Sequence, residues 1–245
     1  MARSNMKMTG RTAGFALSSK SVHDAAVLKT KGISPAQKSR SKATFDALIR
    51  AGLEIIEEKE FNSTTIGDVA ALAGASVGAF YERFESKEVF FAALQEILAT
   101  EIELAVRRRV ADPSFADYDA TTAISVIVTI WLAGIRKHRG LVRASLRHLP
   151  ERAEAWFPLA RLGKTMTEIY VDVLYTRLKG RPREVLSENV KIAIQFVHGL
   201  VVNMILNDPG PLRLDDEKLG RSICRAISLL VEIDGVRGEF YNEKG

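Results

Sequence analysis

From Ser41 onward, apolar residues recur at three- and four-residue steps almost without a break, and no alternating run long enough for a strand interrupts them. That period commits the chain to helices, because side chains three and four apart share one helical face and each such face must be buried against another. Phe45, Leu48, Ile49, Leu53 and Ile56 make the first stripe, on a helix predicted from Ser41 to about Lys59. Asn62 and the Ser63-Thr64-Thr65 cluster end it. Thr65-Ile66-Gly67-Asp68 has the form of a capping box, and Ile66, Val69, Ala70 and Ala73 are the core face of the two-turn helix that follows. Gly74 stands where a left-handed residue stops a helix. Ser76 is the expected cap of a third helix with Val77, Phe80 and Phe84 as buried positions, and Ser86 of a fourth. The arrangement is a helix-turn-helix.

A short turn leaves the second of its helices protruding, and a DNA major groove accepts one α-helix. The outward positions there are Ser76, Gly78, Ala79, Glu82 and Arg83, of which the first three are small. Gly78 inside a helix costs about 1 kcal/mol relative to alanine. Lys87, just past a cap, puts a cation at the positive end of a helix dipole. Both placements suit an outside anion such as a phosphate; the plain structural reading is that Gly78 permits close helix packing and Lys87 is merely solvated.

Charge is unevenly spread. Residues 1–42 carry nine basic side chains against one acid, so a chain of net charge +5 is +8 in that segment and −3 in the rest. The segment, rich in Ser, Thr, Lys and Gly and without sustained period, reads as a mostly disordered basic arm over residues 1–40. It is either a solvated tail, an upstream start (Met6 and Met8 follow Met1), or a phosphate-binding or minor-groove arm. From Phe61 to Lys87 the net charge is −1, which favours the last reading: Lys38, Arg40 and Lys42 are the candidates to supply the missing positive charge.

Beyond Val89 five or six further helices are expected: about 89–110, 121–137, 140–150, 152–178, 187–207 and 215–232, so the fold class is all-α. The uncharged stretch Ala120 to Ile135 is shorter than a bilayer span and reads as a core helix. The N-terminal apolar patch is too short for a signal peptide, so the expected location is cytoplasmic and no membrane partner is expected. One cysteine, Cys224, excludes an internal disulfide and a cysteine-rich zinc module. No dinucleotide fingerprint, phosphate loop or HExxH is present, and His138 and His148 read as solvated helix ends. The chain is expected to be neither an enzyme nor a holder of a cofactor or metal.

Residues 43–96 resemble the DNA-binding head of the tetracycline-repressor (TetR) family. An apolar first helix, Phe61 before Thr64-Thr65, Ile66 through Ala73, Gly74-Ala75-Ser76, Phe80-Tyr81, Phe84 and Ser86-Lys87-Glu88 all fall in register. The resemblance implies three parts: the arm, a DNA-binding head over 41–88, and a helical effector-binding and dimerisation domain over 89–245. Thr64, Thr65, Tyr81 and Lys87 then stand at phosphate-contacting positions, Ser76, Val77, Gly78 and Ala79 approach bases or phosphates, and Arg83 faces the groove. Glu82 departs from many relatives, which have a neutral or basic residue there.

The last two helices carry apolar stripes, Ile192, Phe196, Leu200 and Met204 on one and Leu219, Ile223, Ile227 and Leu230 on the other. They read as internal core or, as the resemblance implies, as a four-helix homodimer interface presenting two heads to successive major grooves of operator DNA. The resemblance also implies a cavity for a small effector, apolar or amphipathic, with Trp131, Met166, Tyr170, Phe196, His198 and Asn203 as candidate lining. A homodimeric, ligand-released transcriptional repressor is the leading expectation; an activator, or an adaptor that keeps the head without DNA binding, stays open.

Overall fold

The computed structural model describes residues 30, 32–33, 39–59, 61–148 and 157–233. Its α-helices among these are α1 (Ser39–Glu58), α2 (Ile66–Leu72), α3 (Val77–Tyr81), α4 (Lys87–Val110), α5 (Ala120–Lys137), α6 (Arg139–His148), α7 (Phe157–Tyr175), α8 (Arg183–Asn207) and α9 (Glu217–Leu230). One-turn 3-10 helices at Phe61–Ser63 and Pro113–Phe115 punctuate them. No strand occurs among the described residues; the fold is all-α.

Local chemistry sets the head's boundaries as the sequence predicts. Thr65 Oγ1 accepts from the Asp68 N–H at 3.1 Å while the Asp68 carboxylate accepts from the Thr65 N–H at 3.0 Å, closing the capping box. Ser76 caps α3 through the Ala79 N–H at 3.0 Å, and Ser86 caps α4 through the Val89 N–H at 3.2 Å. Gly74, at φ +63°, makes the left-handed turn between α2 and α3 that a β-carbon would strain. Beneath them Phe45, Phe80, Phe84 and Phe90 form an aromatic core, with centroids 4.8 Å apart for Phe84–Phe90, 5.1 Å for Phe80–Phe90 and 5.4 Å for Phe45–Phe84. Each such pairing adds about 0.5–1.5 kcal/mol beyond the burial of area.

The boundaries that differ do so for local reasons. α1 begins at Ser39, and α8 begins at Arg183 rather than Ser187, because Pro182 supplies the backbone angle of a helix start and Glu184 places an acid in the first turn. α9 starts after Asp216, whose carboxylate accepts from the Lys218 N–H at 2.7 Å. The predicted helix over 152–178 is α7, ending at Tyr175; residues 151–156 lie outside the described residues.

In the body α4 packs against α5 and α7, α7 against α8, and α8 and α5 against α9. Both α5 and α8 are long and apolar enough, by length and composition, to cross a membrane. α5 is accounted for as a core helix, with Ile124, Ile127, Val128, Trp131 and Leu132 buried. α8 buries one stripe, Leu186, Val190, Ala193, Val197, Val201 and Met204, and presents a second outward.

Head and body meet at an elbow between α5 and α6. The Gly140 N–H donates to both carboxylate oxygens of Glu57, on α1, at 2.9 Å. A β-carbon on Gly140 would lie 2.5 Å from the Ile56 carbonyl oxygen, so only glycine permits this approach. His138 does not sit at a solvated helix end, as its neighbours in sequence suggest. It is buried, with Nε2 2.9 Å from the Glu101 carboxylate on α4, and Lys137 donates to the same oxygen at 2.8 Å. Burial pushes the Glu101 carboxyl up, and the hydrogen bonds from His138 and Lys137 outweigh it and hold the group below its ordinary value. Arg136 reaches the Leu214 and Asp216 carbonyls at 2.8 and 3.0 Å, and Arg139 the Asp215 carboxylate at 2.8 Å.

Candidate nucleic-acid interface and ligand cavity

The turn and α3 project a small, uncharged tip. Ser76, Val77 and Gly78 are exposed and Ala79 half-buried. Val77, predicted to be buried, is 45% exposed: a helix of five residues buries one face, and Phe80 and Phe84 already fill it. Close helix packing does not explain Gly78, because a β-carbon there would meet nothing nearer than Ser76 Oγ at 3.7 Å. Tyr81 is 54% exposed rather than wedged between helices, its ring set edge-on to Phe80 at 5.6 Å. The tip therefore carries two apolar side chains and a helix-weakening glycine that the fold itself does not use.

The rim of this tip is mixed. Thr65 is exposed, but Thr64, a contact position by resemblance, is buried and so packs the head instead of reaching a phosphate. Lys87 is half-buried with Nζ 4.3 Å from the centre of the Phe61 ring, and burial holds its ammonium below the ordinary lysine value. Arg83 has a buried Nε without a hydrogen-bond partner, while its Nη1 reaches the Glu82 carbonyl at 3.5 Å. Glu82 and Glu85 are exposed.

A fragment of the arm lies on this rim. Ile33 forms an isolated antiparallel bridge with Phe84, and the Gly32 carbonyl accepts from the Glu85 N–H at 3.2 Å. Ile33 is partly buried against the core. Sequence reading misses this pairing, since two residues carry no period. Of the arm candidates, Lys38 lies outside the described residues, and Arg40 and Lys42 fall in the first turn of α1.

The body holds an apolar cavity of about 600 Å3, part of it open to solvent. It is walled by Trp131, Ile135, Val142, Leu146, Leu159, Leu162, Gly163, Met166, His198, Val201, Val202 and Ile205. A smaller space of about 280 Å3 shares Trp131, Met166 and His198 with it and continues to Tyr170, Ile194, Ile223 and Ile227. Trp131, Met166, Tyr170 and His198 are thus brought together as predicted. Phe196 and Asn203 are not: Phe196 is 66% exposed, and Asn203 is exposed and hydrogen-bonded to Asn207 at 2.8 Å, because both lie on the outer face of α8. Among the described residues no group of three or more His, Cys, Asp or Glu is placed to hold a metal ion.

The outward face of α8 carries an apolar stripe. Ile192 (41% exposed), Phe196 and Leu200 (38%) follow one another with Leu206, and Leu229 is exposed on α9. The other interface candidates are corrected. Met204, Leu219, Ile223 and Ile227 are buried within the protomer and Leu230 is half-buried, since the inner stripes of α8 and α9 face each other and α5.

Residues 48–94 match the family model of bacterial regulatory proteins, tetR family. The chain is 23% identical over 103 residues to the uncharacterized HTH-type transcriptional regulator YvdT of Bacillus subtilis (strain 168), which is 42% of this chain and about half (51%) of that relative's length. In fold it is similar to a TetR transcriptional regulator from Rhodococcus sp. RHA1, with a TM-score of 0.52 and 19% identity over 80% of this chain and 97% of the other. It is similar also to the transcriptional regulator FadR from Bacillus subtilis, solved in complex with stearoyl-CoA, with a TM-score of 0.55 and 15% identity over 76% and 97% of the two chains.

Proposed function

We propose that this chain, whose head is that of the tetR family of regulators, is a cytoplasmic homodimeric repressor that leaves its operator when a small apolar molecule enters the cavity. The carrying observation is the tip at Ser76–Tyr81: Val77 and Tyr81 are exposed, and the space over Gly78 is empty of protein. A double-stranded DNA groove gives those features a use, with Ser76, Val77, Gly78 and Ala79 against the bases, Arg83 facing the groove, and Thr65, Tyr81 and Lys87 on phosphates. The outward stripe of α8 supports pairing with a second copy, which sets two tips one helical turn of DNA apart.

Gly78→Ala separates this reading from a head that serves the fold alone. The substitution removes a helix-weakening residue into open space, so the head gains up to about 1 kcal/mol of stability. The added methyl holds the backbone off the bases, and affinity for duplex DNA from upstream of the gene falls about tenfold. Thermal melts and gel shifts on one preparation read both. Higher stability in a chain that binds this DNA neither before nor after the substitution would instead favour the adaptor reading, which Glu82 and the net charge of −1 over residues 61–87 otherwise support.

The arm is assigned to flanking phosphates. Ile33 and Gly32, held at Phe84 and Glu85, bring the chain onto the rim that carries Lys87. With Lys38, Arg40 and Lys42 replaced by Gln, the slope of log K against log salt should become shallower by about 0.9 for each phosphate left without its cation. An unchanged slope refutes the assignment.

Release is assigned to the elbow. Val142 and Leu146 wall the cavity on α6, whose first turn is fastened to α1 through Gly140 and Glu57 and whose preceding His138 holds Glu101 on α4. A ligand that moves α6 thereby favours one head position over another, which is what release requires. The FadR neighbour was solved with stearoyl-CoA, an amphipathic molecule whose acyl chain, not its anionic CoA part, has the apolar character of this cavity's walls.

A further inference from the structure

The cavity is more specific than its apolar walls suggest. Among the described residues, no Asp, Glu, Lys or Arg lines either of its two spaces. A charge carried into the walled part, away from the side open to solvent, would be left unpaired and dehydrated, which an apolar wall cannot offset. Aliphatic side chains, with the flexible Met166 thioether, form most of the boundary, and the indole of Trp131 borders both spaces.

Against this background stands one imidazole. His198 borders both spaces at the junction between them, its ring 5.8 Å from that of Trp131 and tilted 33° to it. It makes no hydrogen bond among the described residues. Burial lowers its pKa from the ordinary histidine value, so the ring is neutral, with one nitrogen free to accept and the other to donate. A pure hydrocarbon filling the cavity would strip water from those nitrogens and replace it with nothing.

Deepening the effector reading above, we propose that the cavity takes an uncharged, ring-bearing hydrocarbon with a single hydroxyl group, the ring lying against Trp131 and the hydroxyl bonded to His198. His198 is then the residue that sets specificity, by penalising both the ligand without a hydroxyl and the ligand with a charge.

Equilibrium dialysis of the full chain against 2-naphthol, naphthalene and 2-naphthoate tests this without DNA. The expected order is 2-naphthol about tenfold tighter than naphthalene, the difference made by one satisfied hydrogen bond, with no measurable binding of 2-naphthoate. His198→Phe should abolish the preference for the hydroxyl while keeping naphthalene bound, and His198→Gln, which can still accept and donate, should restore much of it. The proposal is overturned if 2-naphthoate binds as well as 2-naphthol, if the preference survives His198→Phe, or if no probe binds. Should His198→Phe fail to fold, the probe order in the unaltered chain and in His198→Gln still decides. A repeat in the presence of operator DNA keeps the two readings apart. Naphthol that binds as described yet leaves DNA affinity unchanged refutes ligand-driven release and leaves the ligand class intact.

Discussion

A chain carrying Phe196→Asp is expected to sediment as a monomer, to melt at nearly the temperature of the unaltered chain, and to bind operator DNA on the order of 100-fold more weakly. Phe196 is 66% exposed in the protomer, so replacing it removes little internal packing, and changes at exposed positions ordinarily shift stability by no more than about 0.5 kcal/mol. Its cost must then fall on whatever covers it. If a second α8 does, a carboxylate is forced into an apolar seam between Ile192 and Leu200, where it has no partner. Losing the paired heads forfeits the gain from joint engagement of two half-sites, typically about 10²–10⁴ in apparent affinity. Analytical ultracentrifugation and gel shifts on the same preparation check both halves. A dimer of full affinity would show that the outward stripe of α8 serves another purpose.

Phe84→Ala is expected to act in the opposite way, through the protomer's own core. Phe84 is fully buried and meets Phe45, Phe80 and Phe90, with Ile33 paired to its backbone. Truncating such a ring costs about 3–5 kcal/mol, the larger values where the cavity cannot collapse. The four rings hold α3 against α1 and α4, so the loss falls on the presentation of the tip. DNA binding should disappear at temperatures where the body is still folded. Both tryptophans of the chain lie beyond residue 130. A loss of helical signal that precedes any change in tryptophan emission would therefore mark the head melting first. A single transition at the unaltered temperature would contradict the aromatic core as the head's support.

What can be read in the sequence is what depends on near neighbours. Thr65 with Asp68, Ser76 with Ala79 and Ser86 with Val89 meet within one turn, and the residue types at that spacing announce them. Gly74 is legible for the same reason. What a helical stripe faces is not. α8 carries an inner stripe ending at Met204 and an outer one centred on Phe196, and periodicity finds both without saying which partner covers either. Hence the sequence draws Leu219, Ile223 and Ile227 toward an interface although they pack inside, and assigns Phe196 to a cavity it does not line. His138 is misread because its partner, Glu101, lies 37 residues away, and no local signal marks a buried hydrogen bond formed between two helices. Trp131, Met166, Tyr170 and His198 are found together because each interrupts an apolar face with a ring or a sulfur, which is a property of composition rather than of distance.

The bridge between Ile33 and Phe84 changes how the amino-terminal segment can be studied. Cutting the chain just before Ser39 discards positive charge and, in the same stroke, the backbone pairing at Phe84 and Glu85 and a side chain packed against the core. Weak DNA binding by such a shortened protein would confound two causes, lost attraction to the duplex and a loosened scaffold. Charge-neutral replacements that spare Gly32 and Ile33, or a cut that leaves everything from Thr30 onward, keep electrostatics and folding apart.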